Sequence, residues 1–197
     1  MKEKAKIAVG VYAGILNSEG KLLLRRRTET GSIIPGRSFK GNWELPGGGI
    51  METDEESIPY SYAVKELKRE VREEVGIRLT ISKMPPLFTV MFKGPAGYDL
   101  AMVTPVQSEQ ISNLSVGQGI EGMKGDFIFV STEELNELAR EFVSADKKKG
   151  IDGKGLLSGY GKRMHCMALM ALFKSRNTDY SRQAATTLTQ IQEGWSK

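Results

Sequence analysis

One short stretch, residues 69–77 (Arg-Glu-Val-Arg-Glu-Glu-Val-Gly-Ile), constrains the fold of this chain more than any other. Wound as an α-helix at about 100° per residue, the sequence from residue 63 to 75 divides into three faces. They are apolar (Ala63, Val64, Leu67, Val71, Val75), acidic (Glu66, Glu70, Glu73, Glu74) and basic (Lys65, Lys68, Arg69, Arg72). Since like charges four residues apart destabilise a helix, the acidic face predicts a positively charged partner.

The acidic face has two interpretations. Hard divalent cations such as Mg²⁺ bind a few carboxylates and complete their coordination with water and substrate phosphate. Alternatively, the glutamates form a solvated face that is neutralised by Lys and Arg neighbours on the same helix. The upstream residues 41–49, with the sequence G-N-W-E-L-P-G-G-G, favour the first interpretation.

Together, the W-x-L-P-G-G and R-E-x-x-E-E-x-G stretches resemble the signature of the Nudix hydrolases, which cleave nucleoside diphosphates linked to another group. The family pattern is G-x5-E-x7-R-E-U-x-E-E-x-G-U, where U is a bulky aliphatic residue. Gly49 and Glu55 fit its first spacing, and residues 69–77 fit its last nine positions without a substitution. Thirteen residues separate Glu55 from Arg69 where the pattern has seven, so six extra residues precede the helix. The resemblance covers residues 5–143.

The resemblance implies a metal site on the acidic face. Its ligands would be Glu70, Glu73 and Glu74, with a backbone carbonyl of Gly47 or Gly48. The cation would be Mg²⁺, with Mn²⁺ as an alternative, and would neutralise a diphosphate and activate a water molecule. The resemblance further implies that Glu121 approaches the metal from a loop, the alternative being a solvated loop acid.

Three further roles concern catalysis and substrate binding. By charge pairing, Arg69 would orient the carboxylates, and the general base would be Glu70, Glu73 or Glu121. An apolar strand delivers residues 25–27 (Arg-Arg-Arg) to its end, and arginine forks match phosphate oxygens. This pattern leaves phosphate binding and a solvated strand end open, and the resemblance implies that Arg25 and Arg27 bind substrate.

The six extra residues are predicted either to narrow the mouth of the substrate site or to be a benign surface insertion. In the first case, Tyr60 or Tyr62 would stack on a base. The start of the helix is also open, because residues 53–56 have the form of a capping box and Ser57 before Pro59 is a competing start. Gly76 is well suited to end the helix.

Composition limits the class of protein. The formal net charge is +4, which suits an anionic small molecule, and no long Lys/Arg run indicates nucleic acid. No window is apolar enough for a membrane span and no secretory signal is recognisable, so we expect a cytoplasmic protein without a membrane partner. The single cysteine, Cys166, excludes an internal disulfide. His165 beside it is a poor metal partner, because adjacent helical residues point about 100° apart.

The expected fold is α/β: a mixed, mostly antiparallel sheet between helices, with the Glu-rich helix on one face and the C-terminal helices on the other. The resemblance supplies this topology. Strands are predicted over residues 7–16, 21–25, 43–45, 77–81, 87–92, 98–106 and 127–130, with the first two forming a hairpin. Ser131 is predicted to begin a helix that runs to about Val143.

The chain is predicted to comprise a Nudix-type domain, residues 1–145, and a linker with a helical extension, residues 146–197. Apolar residues at helical spacing predict one helix over residues 161–173 and a second over 181–191. The helix predicted over residues 161–173 carries more apolar surface than an isolated amphipathic helix leaves exposed to water. We expect it to pack on its own domain, with a homodimer interface as the alternative.

Two functions from different classes follow from the resemblance. One is a metal-dependent diphosphohydrolase acting on a nucleoside triphosphate or nucleotide-sugar type of substrate. The other is a Nudix-fold module that binds a nucleotide without cleaving it. A third, isopentenyl-diphosphate isomerase, needs a catalytic cysteine and metal-binding histidines, which His165 and Cys166 in the tail do not easily supply. The intact glutamate cluster favours hydrolysis.

Overall fold

The computed structural model describes residues 6–27, 43–50, 59–81, 86–94, 97–106, 127–138, 166–174, 179 and 182–187. The strands are β1 (Lys6–Ile15), β2 (Leu22–Arg26), β3 (Trp43–Glu44), β4 (Gly47–Gly49), β5 (Phe88–Gly94), β6 (Gly97–Val106) and β7 (Phe127–Val130). The helices are α1 (Tyr60–Val75) and the helical residues 132–138 (α2), 166–173 (α3) and 182–187 (α4). Strands and helices together give the α/β class expected from the sequence.

The strands form two sheets. One has the order β4-β1-β6-β5 and the other has the order β3-β2-β7. In the first sheet β1 runs parallel to β6, from the pair Lys6 and Gly97 to the pair Ile15 and Val106. The other pairings between these strands are antiparallel, which agrees with the expected mixed, mostly antiparallel arrangement.

Two local predictions were wrong. The turn after β1 forms, with the Gly20 N–H donating to the Asn17 carbonyl, but β1 and β2 continue into different sheets instead of one hairpin. A single antiparallel bridge, Leu16 to Leu22, is what remains of that hairpin. Residues 77–81 form no strand, although the alternating Ile77, Leu79 and Ile81 are buried as a strand pattern predicts.

Helix α1 divides its side chains as the sequence predicted. All five residues of the apolar face are buried, and they join side chains from β1, β2 and the segment after the helix in a cluster that we name the helix-side core. Its buried members are Val11, Ala13, Ile15, Leu23, Ile50, Ala63, Val64, Leu67, Val71, Val75, Ile77, Leu79, Ile81 and Val106. The acidic face of α1 is thereby turned away from this core, except for the buried Glu66.

The ends of α1 are fixed by backbone geometry. Pro59 occupies the N-cap position and makes no side-chain cap hydrogen bond, while its carbonyl accepts the Tyr62 and Ala63 N–H groups. The described helix begins at Tyr60 with Pro59 as its N-cap, and both predicted starts, residues 53–56 and Ser57, lie outside the described residues. Gly76 ends the helix with φ 75, a left-handed conformation that glycine adopts without a steric cost. This confirms the prediction for Gly76.

A second cluster, the tail-side core, lies on the opposite faces of β1 and β2. Its buried members are Leu16, Leu22, Leu24, Leu45, Ala101, Val103, Val130, Leu135, Met167, Ala168, Leu169, Ala171, Leu172 and Ala184. Helix α3 lies directly on β1, since a Cβ added at Gly14 would be 2.2 Å from the Ala171 Cβ. The C-terminal helices therefore cover one face and α1 the other, as expected. The division of the chain into a domain and a tail stays a prediction.

Helix α2 begins with a reciprocal pair of hydrogen bonds. The Glu134 N–H donates to Ser131 Oγ at 3.2 Å, and the Ser131 N–H donates to Glu134 Oε2 at 2.6 Å. This capping box confirms the predicted start at Ser131. None of the helices described here combines the length and the apolar character needed to cross a membrane.

Candidate active site

The acidic face of α1 lies against the glycine strand β4. A Cβ added at Gly48 would be 2.8 Å from the carboxylate carbon of Glu70, so a larger residue would displace that carboxylate. Gly47 has φ 143, and a Cβ there would be 2.1 Å from the Val11 carbonyl oxygen on β1. These glycines let the helix and the strand approach closely enough to bring carboxylates and backbone groups into one site.

Arg69 gathers three carboxylates of α1. Its Nε and Nη2 donate to Glu66 Oε2 at 3.0 and 2.8 Å, its Nη1 donates to Glu73 Oε2 at 2.7 Å, and its Nη2 also donates to Glu70. The hydrogen bond with Glu66 raises the pKa of Arg69 further above its ordinary value, so the guanidinium stays charged. The sequence predicted that Arg69 orients the carboxylates by charge pairing. These bonds agree with that role, which stays a prediction.

Arg25 gathers a second set of carboxylates from different elements. Its Nη2 lies 2.5 Å from Glu44 Oε1 on β3 and also bonds Glu74 on α1. Glu44 additionally pairs with Arg27 Nη1 at 3.3 Å. The Arg25 side chain is 5% exposed and that of Arg27 is 26% exposed, so Arg27 is the more accessible of the two to a ligand.

Glu74 connects the helix to the glycine strand, because its Oε2 accepts the Gly47 N–H at 2.8 Å while its Oε1 bonds Arg25. Burial raises the pKa of Glu74 to about 8, and Arg25 and the Gly47 N–H act in the opposite direction. The ionised carboxylate is therefore costly in this position without further positive charge. A cation placed beside Glu74 would favour its ionised form.

The donors in this region suit a hard divalent cation, since the acidic face offers carboxylate oxygens and β4 offers backbone carbonyls. Within the described residues, no three acidic, His or Cys side chains are already arranged as a metal site. Arginine pairs with each of the helix carboxylates: Arg69 bonds Glu66, Glu70 and Glu73, and Arg25 bonds Glu74. The carboxylates of α1 and the carbonyls of β4 suit a divalent metal that would bind beside the arginines already paired with these carboxylates.

The remaining predicted residues fall into two groups. Tyr60 and Tyr62 are half-buried in the first turn of α1 and pack against the helix-side core, and burial raises the pKa of Tyr60. This packing agrees with the alternative in which the insertion is a benign surface feature. Base stacking by either tyrosine stays a prediction. Glu55, Glu121 and most of the six-residue insertion lie outside the described residues.

Two buried acids were not among the predicted site residues. Glu66 was placed on the acidic face of α1 but given no role, although Arg69 three residues later is its natural helical partner. Glu44 lies opposite Arg25 in the pairing of β2 and β3. A lone acid between Trp43 and Leu45 in a strand, with three arginines at the end of another strand, was the available signal.

The family model described as the NUDIX domain matches residues 4–149. An uncharacterized Nudix hydrolase of Pseudomonas aeruginosa is 33% identical over 78 residues, and the match covers 40% of this chain and 40% of that protein. The chain thus aligns with less than half the length of this relative.

Solved structures of similar shape include a MutT protein from Methanosarcina mazei, with a TM-score of 0.45, 24% identity and coverage of 76% of this chain and 99% of that one. A MutT NUDIX hydrolase from Burkholderia pseudomallei has a TM-score of 0.44, 23% identity and coverage of 66% and 86%. Since the family model spans well over half of the chain and includes the whole glutamate helix, this protein belongs to the Nudix family.

Proposed function

We propose that this protein is a metal-dependent Nudix hydrolase that cleaves the diphosphate bond of a nucleoside diphosphate linked to another moiety. Membership of the family supports hydrolysis of an acid anhydride in general. The observation that supports this proposal for the chain itself is the convergence of Glu70 and Glu74 on the glycine strand β4. Carboxylates held against a glycine strand bring side-chain and backbone oxygen donors close together, which suits a hard divalent cation.

Glu70, Glu73 and Glu74, with the carbonyl of Gly47 or Gly48, would hold Mg²⁺, and Mn²⁺ is the alternative. The bound metal supplies Lewis acidity that neutralises negative charge on the diphosphate. Glu121 as a further ligand remains part of the proposal without support from the described residues.

The side chains of this chain have separate tasks in the proposal. Arg69 holds Glu70 and Glu73 in place through direct bonds, which limits the rearrangement needed during the reaction. Glu73 is 58% exposed and Glu70 is 17% exposed, so Glu73 is the better placed to accept a proton from an attacking water molecule. Arg27, half-buried at the end of β2, would pair with a phosphate oxygen of the substrate.

The test is release of a monophosphate from nucleoside triphosphates and nucleotide sugars, with and without Mg²⁺. Turnover should require the metal, and Glu73→Gln and Glu74→Gln should each lower kcat by at least tenfold while the circular dichroism spectrum stays that of the folded protein. Glu133→Gln is the matched control, because Glu133 is an exposed acid on α2, a helix that packs through Leu135 into the tail-side core.

Unchanged Mg²⁺-dependent turnover in Glu74→Gln would refute the proposed metal site. The second candidate, a nucleotide-binding regulator, predicts a different result: saturable nucleotide binding without monophosphate release from any member of the panel. Equilibrium dialysis with the same nucleotides distinguishes this outcome from an unsuitable choice of substrates.

A further inference from the structure

Arg25 occupies an interior position that a substrate-binding arginine would not need. It lies at the end of β2, and its side chain is among the least exposed of the charged groups near the site. Its guanidinium is shared between Glu44 on β3 and Glu74 on α1. To turn toward a phosphate group, Arg25 would have to give up its contacts with the buried Glu44 and the half-buried Glu74. A buried charge that loses its partners is strongly destabilised.

The two bonds to Glu74 come from two different elements. Arg25 on β2 bonds Oε1, and the Gly47 N–H on β4 donates to Oε2. A carboxylate has about four lone-pair positions, so these two bonds leave one position on each oxygen for another ligand. The arrangement therefore fixes the plane of the Glu74 carboxylate without using all of its binding capacity.

Glu44 neutralises Arg25 independently of Glu74. The two residues face each other in the antiparallel pairing of β2 and β3, and Arg25 Nη2 forms an ion pair with Glu44 Oε1 at 2.5 Å. Arg27, two residues further along, pairs with the same carboxylate. The strand pair thus keeps the Arg25 guanidinium in place even if the charge around Glu74 changes.

We propose that Arg25 is a positioning residue, anchored by Glu44, that orients the Glu74 carboxylate toward the divalent cation and makes no contact with the substrate. This inference rests on the proposed function, because it assigns Glu74 to the cation. It separates neighbouring arginines of one strand end into two roles: Arg25 serves the metal site from the interior, and Arg27 serves the substrate from the surface.

The decisive variant is Arg25→Lys. Lysine keeps the positive charge but replaces the planar fork by a point charge on a flexible stem, so it cannot hold Glu44 and Glu74 in the same geometry. The affinity of the nucleotide-free protein for Mn²⁺, measured by electron paramagnetic resonance, should fall by about 10- to 100-fold, the range for groups that orient metal ligands. At saturating metal, KM for the nucleotide should change by less than about twofold, because uniform substrate binding is retained.

Arg27→Lys is the matched control, since Arg27 also pairs with Glu44 but contacts the opposite oxygen of that carboxylate. It should leave the Mn²⁺ affinity of the free protein unchanged and raise KM. If Arg25→Lys does not fold by circular dichroism, Glu44→Gln replaces it: the amide keeps the shape of the anchor, and Mn²⁺ affinity should still fall several-fold.

Each outcome has a distinct meaning. Wild-type Mn²⁺ affinity in folded Arg25→Lys, or in Glu44→Gln where that variant is used, overturns the positioning role. A raised KM with unchanged Mn²⁺ affinity identifies Arg25 as a substrate ligand instead. Failure of the wild-type protein to bind Mn²⁺ overturns the proposed function itself and the inference with it.

Discussion

The helix-side core and the tail-side core are built on the same strands but differ in what lies beyond them. Helix α1 buries one face in the helix-side core and presents carboxylates and arginines on another. Helix α3 has buried residues at 166–169, 171 and 172, so nearly its whole described surface is covered. The proposed chemistry therefore lies on one side of the strands, while the described residues of α3 on the other side contribute packing.

This difference teaches how a small domain can separate stability from ligand binding. The charged face of α1 must remain open to a ligand, so that helix can contribute apolar contacts from one side only. Apolar burial on the tail side has no such restriction, and each fully buried large side chain contributes about 1.5–3 kcal/mol. We expect stability to respond to changes on both sides and metal binding to changes on the helix side alone.

The largest expected effect is that of removing the tail. Truncation after Ala145 deletes Met167, Leu169 and Leu172, which are fully buried, and exposes the strand faces beneath them. The loss should be on the order of 5 kcal/mol or more, comparable to the total stability of a typical domain. Thermal melting by circular dichroism should show a much lower midpoint or no cooperative transition.

Light scattering at two protein concentrations completes this experiment. A truncated chain as stable as the full one would show that the tail does not stabilise its own domain. A full-length melting point that rises with concentration would point to the dimer alternative instead.

A matched pair of core substitutions compares the two sides directly. Leu67→Ala in α1 and Leu169→Ala in α3 each remove a fully buried leucine and should each lower the free energy of unfolding by about 2–5 kcal/mol. Only Leu67→Ala should also weaken Mn²⁺ binding at low temperature, where both variants are folded, because α1 carries the carboxylates. Equal weakening by Leu169→Ala would show that the two sides are not separable.

A smaller effect is expected from the charged face of α1. Glu66→Gln removes an ion pair with Arg69, whose side chain is 39% exposed, so the free energy of unfolding in urea should fall by about 1 kcal/mol or less. Because Arg69 would lose its ion pair with Glu66, we expect kcat to fall as well, although the protein stays folded. A loss of more than about 3 kcal/mol in the free energy of unfolding would show that this ion pair behaves as a buried one. That result would contradict the view that the charged face of α1 contributes little to stability.

The smallest expected change is a labelling rate rather than a stability. Burial raises the pKa of the Cys166 thiol at the start of α3 to about 11. At pH 8 the reactive thiolate should be about a hundredfold scarcer than in the unfolded chain, and labelling by iodoacetamide should be slow and should accelerate toward pH 11. Mass spectrometry of native and urea-unfolded protein gives the two rates; equal rates would mean that α3 does not protect this thiol.

The sequence predicted best what is local to one helix. The three faces of α1, its glycine end and the pairing of Arg69 with glutamates follow from the fixed spacing of helical residues, which repeats in every helix. The apolar spacing in residues 161–173 likewise predicted the helix of which 166–173 are described. In these segments, neighbours in space are neighbours in sequence.

The interior ion pairs could not be predicted in this way. Arg25 and Glu74 are 49 residues apart, and which acid meets which arginine depends on how strands β2 and β3 reach the helix. The same limit explains the incorrect hairpin, because a turn at residues 17–20 is compatible with two strands that later diverge. Residues 77–81 alternate as a strand does, but only Leu79 forms a β-bridge, and burial of alternate side chains does not require a full strand.

The parallel pairing of β1 with β6 has a consequence for how this protein is made. Ten residues near the start of the chain pair with residues roughly ninety positions later, so the central contact of the fold has a large sequence separation. While the ribosome is still translating β5, β1 has already emerged, but its parallel partner β6 has not yet been made. Until β6 emerges, one edge of β1 has unpaired backbone groups, and an unpaired strand edge makes a nascent chain prone to aggregation.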